Sequence, residues 1–295
     1  MNLRSLYVQM CRKYADSIRK TPSVYKLPPS ALKIIEHCAV SVIMYLMDSK
    51  YQSDKYRIDD LQRGGFRICQ EKDGFCFGVD SVILSDFAAK RIRNYSNVID
   101  LCSGNGIIPI LLYSRNSTLK IRAVEIMEDA AQLADWNMRL NAVSESVSVM
   151  HSDAKKLPEE MKGTFDALTV NPPYIKADGG KTSESISLSV SRHELLLSAE
   201  ELIKSSAELL KDKGKFFMVH RAHRIAELSS LMKKYSLEPK SLRFVYPRVT
   251  SDKAVMVLIY AVKGSGEWTD VEKPLYIHSG TEYTDEIYEI YGKDK

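Results

Sequence analysis

From residue 54 onward, short apolar runs rich in β-branched residues alternate with stretches whose apolar positions recur at helical spacing. The spacing predicts helices over 107–115, 128–140, 194–210 and 222–235. The apolar runs predict strands over 97–101, 120–125, 147–150, 165–170, 215–220, 241–246 and 254–261. Because strands that alternate with helices are typical of βαβ units, we expect an α/β fold: a seven-stranded, mostly parallel sheet with helices on both faces.

The last two predicted strands break this alternation. Only a short loop containing Pro247 separates 241–246 from 254–261, which leaves no room for a crossover helix. We therefore expect an antiparallel hairpin at the edge of the sheet, with the last strand reversed. The polar and aromatic tail that follows has one further candidate strand, over 275–278.

The same pattern divides the chain into three parts. Residues 1–53 are an N-terminal extension with one predicted amphipathic helix, which begins after Ser30 and has apolar positions up to Leu46. Residues 54–262 form the α/β domain, and we expect residues 263–295 to pack on that domain as a tail.

Composition excludes several classes of protein. The 295 residues are 44% hydrophobic and 27% charged, which is unlike a disordered chain. Five cysteines without a Cys-x-x-Cys pair argue against a disulfide scaffold or a zinc ribbon, so we expect no metal. The longest apolar stretch, 38–47, is about half the length of a membrane span. We expect a soluble, cytoplasmic protein without a membrane partner, and the net charge of +4 is compatible with nucleic-acid binding.

A turn containing two glycines follows the first strand of the sheet. Asp100 lies near the strand end, and Gly104 and Gly106 come just before a predicted helix. Glycines let a ligand approach the backbone at the carboxyl edge, where open α/β sheets bind ligands. The third glycine of a dinucleotide-binding fingerprint is absent, as is the Gly-Lys-Ser/Thr of a P-loop. The turn predicts a nucleotide-like cofactor of another kind.

Acidic residues stand at the ends of the next two strands. Glu125 lies 19 residues after Gly106, and its carboxylate could accept hydrogen bonds from both hydroxyls of a ribose. Asp153 follows the third strand. Acids at successive strand ends strengthen the prediction of a cofactor site at this edge.

The fourth strand ends in the sequence Asn171-Pro172-Pro173-Tyr174. The prolines fix the backbone, so that the Asn171 side-chain oxygen and the Pro172 carbonyl can both accept hydrogen bonds from a planar amine. Two such acceptors would draw the nitrogen lone pair out of conjugation and direct it away from both, and Tyr174 offers a face for stacking. The tetrapeptide does not show whether the bound amine belongs to a nucleobase or to a glutamine side chain.

These features together resemble S-adenosylmethionine-dependent amino-methyltransferases of the Rossmann-like class I fold. The glycine turn is similar to their Asp-x-Gly-x-Gly-x-Gly sequence, with Cys102 in place of the first glycine. The resemblance implies S-adenosylmethionine as the cofactor and an adenine-binding role for Asp153. It implies direct in-line methyl transfer to adenine N6, cytosine N4 or glutamine N5, with Asn171 to Tyr174 as the catalytic residues.

Six blocks of sequence resemble, more narrowly, the bacterial tRNA adenine-N6 methyltransferases that modify position 37 of valine tRNA. The blocks are 59–61, 74–84, 171–174, 191–194, 218–221 and 243–248. This resemblance implies a tRNA anticodon loop as substrate. In the 74–84 block, Phe77 would line the cofactor pocket, and Asp80 or Ser81 would reach the methionine end of the cofactor.

Cationic residues near strand ends and helix starts are candidates for contact with RNA phosphates. They are Arg192, His193, Arg221, Arg224, Arg243, Arg248 and Lys253. The other histidines near the site, His151, His220 and His223, are interpreted as packing or surface residues.

Two other functions stay open. The tetrapeptide allows N5 methylation of a glutamine in a protein such as a release factor, and the fold allows a non-catalytic RNA-binding module. Residues 1–53 have no counterpart in the resemblance. They are interpreted as an RNA-contacting helix, a partner-binding helix, or sequence translated from upstream of a natural start near Met47, and we hypothesise the last.

Overall fold

The computed structural model describes residues 51, 53–74, 76–172 and 197–292. The predicted N-terminal helix lies outside the described residues, as do Pro173, Tyr174, Arg192 and His193. The strands are β1 (Tyr56–Asp60), β2 (Arg67–Glu71), β3 (Asn97–Leu101), β4 (Lys120–Glu125), β5 (Val147–His151), β6 (Phe165–Val170), β7 (Leu210–Arg221), β8 (Leu237–Arg248), β9 (Met256–Lys263), β10 (Asp270–Val271), β11 (Leu275–Ser279) and β12 (Glu282–Tyr283). The α-helices are α1 (Val79–Ala89), α2 (Ile107–Arg115), α3 (Glu128–Leu140), α4 (Ala199–Leu209), α5 (Ile225–Lys234) and α6 (Asp285–Tyr291).

The central sheet has the strand order β12-β11-β8-β9-β7-β6-β3-β4-β5, with β10 also paired to β8. The seven predicted strands form the continuous run from β5 to β8, which confirms the Rossmann-like α/β fold. Strand β9 is antiparallel to both β7 and β8, as the missing crossover helix predicts. The other strands of this run are parallel, so their carboxyl ends meet at one edge.

The position of the β8–β9 hairpin differs from the prediction. The hairpin forms, but it is not at the sheet edge, because β10 and β11 from the tail pair in parallel with β8. An edge strand presents unpaired backbone N–H and C=O groups, and the tail satisfies those of β8. The predicted strand over 275–278 is β11, and the sheet grows to ten strands.

Both faces of the sheet are covered by helices. Phe216 and Phe217 are neighbours in β7 and both have zero exposure, yet they belong to different core clusters. One cluster includes side chains of α1, α2 and α6, and the other includes side chains of α4 and α5. A strand buried on both sides is typical of a parallel sheet sandwiched between helices.

None of the described helices has the length and hydropathy needed to cross a bilayer.

Asn137 of α3 and Asn141, which caps the end of α3, attach the β1–β2 hairpin to the domain. The Asn137 amide exchanges hydrogen bonds with the backbone N–H and C=O of Cys69, at 2.8 and 2.9 Å. Asn141 does the same with Arg67, at 2.8 and 2.7 Å. Asn137 Nδ2 also donates to the Asn105 carbonyl at 2.9 Å, which links the hairpin to the glycine turn.

The division of the chain between the α/β domain and a tail over residues 263–295 stays a prediction. Substitutions in the tail can test whether it unfolds together with the domain. Leu275 is fully buried beside Val245, whereas Val271 in the same tail is 67% exposed. We expect Leu275→Ala to lower the free energy of unfolding by about 2–5 kcal/mol, because it leaves a cavity in the shared core. Val271→Ala should change it by less than about 0.5 kcal/mol. Urea denaturation measures both; equal, small effects would show that the tail is not part of the cooperative core.

Candidate active site

The glycine turn, Glu125 and Asn171 lie together where the strand order reverses. From β3 the sheet continues in one direction through β4 and β5, and in the other through β6 and β7. A crevice forms beyond the carboxyl ends of strands at such a reversal. The glycine turn follows β3, Glu125 ends β4, and Asn171 follows β6.

Asp100 joins the ends of β3 and β6. Its carboxylate accepts a hydrogen bond from Thr169 Oγ1 on β6 at 2.6 Å and from Ser103 Oγ in the turn at 2.6 Å. The side chain has zero exposure, and this burial raises its pKa to about 7. Asp100 therefore holds the turn and the Asn171 strand in fixed relation, in addition to its predicted place in the cofactor site.

The turn after β3 contains three residues in the left-handed region. Cys102 has φ +57°, Gly104 +55° and Gly106 +83°. This conformation explains the glycine that the Asp-x-Gly-x-Gly-x-Gly pattern has at the position of Cys102. A Cβ at Gly106 would overlap the end of Met138, so this glycine lets α2 begin close to α3. A Cβ at Gly104 would meet no heavy atom within 4 Å, so Gly104 borders open space where a ligand can approach.

Glu125 holds the turn from the β4 side. Its Oε2 accepts the backbone N–H of Gly104 at 2.8 Å, and its Oε1 accepts that of Met127 at 2.9 Å. The residue is 4% exposed. Each carboxylate oxygen has a second lone pair, so the group can accept from ribose hydroxyls while it keeps these bonds.

Asp153 lies at the same edge, two residues beyond β5. Its Oδ1 accepts the backbone N–H of Lys155 at 2.9 Å, which closes a short turn. The residue is half-buried, and the pairing of Glu125 with His151 places Asp153 at the edge shared with Glu125. Its predicted role toward an adenine amino group stays a prediction.

The two polar atoms of the Asn171 side-chain amide differ in their hydrogen bonding. Its Nδ2 donates to Ser81 Oγ of α1 at 3.1 Å. Its Oδ1 is buried and accepts no hydrogen bond from any residue that the structure describes. A buried acceptor without a partner is costly in a folded protein, which indicates a ligand that donates to it. Pro172 follows as a buried residue.

The 74–84 block contributes Ser81 directly to this site. Asp80 accepts the Ser81 backbone N–H at 2.8 Å, in the first turn of α1. Phe77 donates its backbone N–H to Gln70 Oε1 at 3.2 Å. It also lines a separate cavity of about 90 Å³ together with Arg63, Leu111 and Tyr291. Contacts of Phe77 and Asp80 with a cofactor stay predictions.

His220 is a residue whose position the sequence analysis did not use. Strand pairing of Val170 with Met218 places His220, near the end of β7, beside the residues that follow β6. His220 and Pro172 line one cavity of about 590 Å³. Burial lowers the pKa of His220 to about 4, so the ring is neutral at pH 7, and its Nδ1 accepts the Arg221 N–H at 2.8 Å. The sequence predicted both strands, 165–170 and 215–220, but not their pairing, which is what brings His220 to the site.

Four of the candidate RNA-contacting residues that the structure describes fall into two groups, and contact of Lys253 with RNA stays a prediction. Arg221 and Arg248 end β7 and β8 at the same edge as the site, and Arg248 is exposed. Arg224 forms an ion pair with Glu227 at 2.6 Å, and Arg243 donates to both oxygens of Glu286 at 2.7 and 2.8 Å. The second group is thus engaged in ion pairs within the protein. Contact of the first group with RNA stays a prediction.

Residues 78–238, more than half of the chain, match the model of the methyltransferase small domain family. The chain belongs to this family. The family and the fold support S-adenosylmethionine as the cofactor, and the open space at Gly104 beside the Glu125 carboxylate fits a nucleoside group. The resemblance deduced from the sequence is thereby confirmed at the level of the family.

Curated relatives carry two kinds of name. The tRNA1(Val) (adenine(37)-N6)-methyltransferase of Aliivibrio fischeri is 31% identical over 120 residues, which are 41% of this chain and 49% of that protein. The protein of the same name from Flavobacteriaceae bacterium is 29% identical over 113 residues, 38% of this chain and 47% of that protein. The ribosomal protein uL3 glutamine methyltransferase of Neisseria gonorrhoeae is 33% identical over 82 residues, 28% of this chain and 26% of that protein. The chain thus matches about half the length of the first relatives.

Two solved structures share the fold at low sequence identity. A predicted O-methyltransferase from Agrobacterium tumefaciens has a TM-score of 0.58 at 17% identity, and covers 72% of this chain and 95% of its own. TYW2 of M. jannaschii, solved in complex with AdoMet, has a TM-score of 0.51 at 16% identity, and covers 71% and 86%.

We expect Glu125→Gln to weaken binding of S-adenosylhomocysteine about tenfold or more, because the amide cannot accept at both ends. Isothermal titration calorimetry measures the dissociation constant. Glu128→Gln is the matched control, since Glu128 is exposed at the start of α3. Unchanged affinity in Glu125→Gln would remove Glu125 from the cofactor site.

The raised pKa of Asp100 predicts a pH dependence of stability. Between pH about 4 and 7 the folded protein holds a proton on Asp100 that the unfolded chain releases, since the usual value is 3.8 and the folded one about 7. The stability from this proton is full below about pH 4 and is lost as the pH rises through 7. Relative to Asp100→Asn, the wild type should lose about 2–4 kcal/mol across this range in urea denaturation without ligand. Parallel pH curves for the two proteins would contradict the buried-acid account.

Proposed function

We propose that this protein transfers a methyl group from S-adenosylmethionine to N6 of an adenosine in a tRNA anticodon loop, at position 37, with valine tRNA as the first candidate. The buried Oδ1 of Asn171, which no residue that the structure describes satisfies, carries the proposal, because an exocyclic amine is a donor that would satisfy it. The names of two relatives support the choice of tRNA. Arg221 and Arg248, at the same edge, would bind RNA phosphates.

The mechanism is direct transfer with the amine held between two acceptors. When bound, S-adenosylmethionine supplies an electrophilic methyl group on a positively charged sulfur. Asn171 Oδ1 and the Pro172 carbonyl each accept one N–H of the amine, so the nitrogen lone pair points away from both. Position and electrostatics then account for most of the acceleration. After transfer, one amine proton leaves from the side of these acceptors to solvent.

The target base has to leave the base stack to reach this site. Unstacking costs a few kcal/mol and least in a single-stranded loop, which favours an anticodon loop over a duplex. The cavity of about 590 Å³ beyond Pro172 is of a size typical for ligand sites. We propose that the swung-out base enters between Pro172 and His220.

The test is incubation of the protein with radiolabelled S-adenosylmethionine and total tRNA from cells that lack the gene. Digestion to nucleosides and mass spectrometry identify the product. The proposal predicts label in N6-methyladenosine, mapped to position 37. Label in another nucleoside, or in none while the cofactor binds, would contradict it.

We expect Asn171→Ala to lower kcat about 10²-fold or more, because it removes an aimed acceptor, with nearly unchanged affinity for S-adenosylhomocysteine. Asn171→Asp is the matched variant, since a carboxylate keeps an acceptor oxygen, and it should retain far more turnover than Asn171→Ala. Turnover assays and calorimetry separate the two effects. Normal turnover in Asn171→Ala would remove Asn171 from the mechanism.

A second candidate is N5 methylation of a protein glutamine. The relative from Neisseria gonorrhoeae supports it, and the amide N–H groups of glutamine would satisfy the same two acceptors. Ribosomal protein uL3 and a release factor, offered in the same assay in place of tRNA, would become labelled under this alternative. Label in protein and none in tRNA would favour it.

A further inference from the structure

We propose that Ser81 is a positioning residue, whose hydroxyl holds the Asn171 amide in the orientation that presents Oδ1 to the substrate amine. This inference rests on the proposed function, in which Asn171 is the amine acceptor. In this proposal Ser81 contacts Asn171, whereas the sequence analysis gave Ser81 as a candidate for contact with the methionine end of the cofactor.

The contact that carries the inference joins two separate elements. Ser81 Oγ lies 3.1 Å from Asn171 Nδ2, with Ser81 in α1 and Asn171 just beyond β6. Ser81 is 4% exposed, so its hydroxyl is largely shielded from competing water. The other end of the same amide, Oδ1, is the buried acceptor that no described residue satisfies.

An amide needs such a partner because its two ends have similar size and opposite hydrogen-bonding character. Rotation of the Asn171 side chain by about half a turn would place NH₂ where Oδ1 lies. Two donors would then face each other, and the amine could not be held. The Ser81 hydroxyl can accept or donate, and only the orientation in which it accepts from NH₂ leaves Oδ1 to accept from the substrate amine.

Ser81 itself stands on a rigid support. Val82, Ile83 and Leu84, the residues that follow it in α1, are all buried in the core. Ser85, one turn further, donates from Oγ to the Ser81 carbonyl at 2.7 Å. A positioning group fixed by a packed helix holds a functional side chain more accurately than one on a loop.

The first test compares Ser81→Thr with Ser81→Val, which have the same shape and differ in one hydroxyl. We expect Ser81→Val and the smaller Ser81→Ala to lower kcat about tenfold, as the loss of one buried hydrogen bond does, with unchanged KM for S-adenosylmethionine. Ser81→Thr should stay within about threefold of wild type. Ser206→Ala is the control for loss of a buried helical hydroxyl, since Ser206 Oγ donates to Leu202 on α4.

The second test repeats Ser81→Ala in the Asn171→Asp background. A carboxylate has two equivalent oxygens and needs no orientation, so the Ser81 effect on kcat should shrink to less than about threefold. An equal loss in both backgrounds would assign Ser81 a merely structural role. An unchanged kcat for both Ser81→Ala and Ser81→Val would also overturn the proposal.

A third readout does not depend on any substrate. In ¹⁵N-labelled protein, the Asn171 side-chain NH₂ signal is assigned by its disappearance in Asn171→Asp. We expect slow exchange of this NH₂ with water in wild type and Ser81→Thr, and fast exchange in Ser81→Val. The same exchange rate in all three would contradict the contact. If the wild type shows this slow exchange but methylates no tRNA, the substrate assignment is wrong, while the contact between Ser81 and Asn171 is supported.

Discussion

The buried carboxylate of Asp100 is the constraint on which the site depends. By accepting from Thr169 on β6 and from Ser103 in the turn after β3, it ties together the two neighbouring strands from which the sheet proceeds in opposite directions. Glu125 adds the third strand through its bond to the Gly104 backbone. The glycine turn, the acid of β4 and the amide after β6 therefore form one rigid edge. Within the described part of the chain, this edge leaves open space at Gly104 and an oxygen on Asn171 that accepts no hydrogen bond.

The sequence predicted the central part of the fold because the periodicity of strands and helices is visible within short segments of the chain. Strand and helix periodicity placed β3, α2, β4, α3 and β6 with the bounds that the structure has, and the missing crossover helix predicted the antiparallel β9. The ten-stranded sheet could not be predicted in the same way. Pairing of β11 with β8 joins residues about thirty positions apart, and nothing local in 241–246 shows that its outer edge is covered.

The same distinction holds for the site. Strand ends predicted that Asp100, Glu125 and Asn171 share one edge, because parallel strands bring their carboxyl ends together. The contact of Asn171 with Ser81 was not predicted, because Ser81 lies 90 positions away on α1. The sequence had given Ser81 only as one of two candidates for the methionine end of the cofactor. Positive charge was the weakest indicator of which residues bind RNA. Arg224 and Arg243 have the residue type of a phosphate ligand, yet Glu227 and Glu286 engage them within the protein.

In the proposed function, the carboxyl edge of β3, β4 and β6 binds the cofactor and the amine as one site. Hydrogen exchange of the backbone amides, followed by mass spectrometry with and without S-adenosylhomocysteine, shows where the cofactor binds. We expect the ligand to slow exchange in 102–106 and 125–127, with little change at the opposite edge of the sheet. Protection confined to the cavity between Arg63 and Tyr291, with none at the glycine turn, would contradict it.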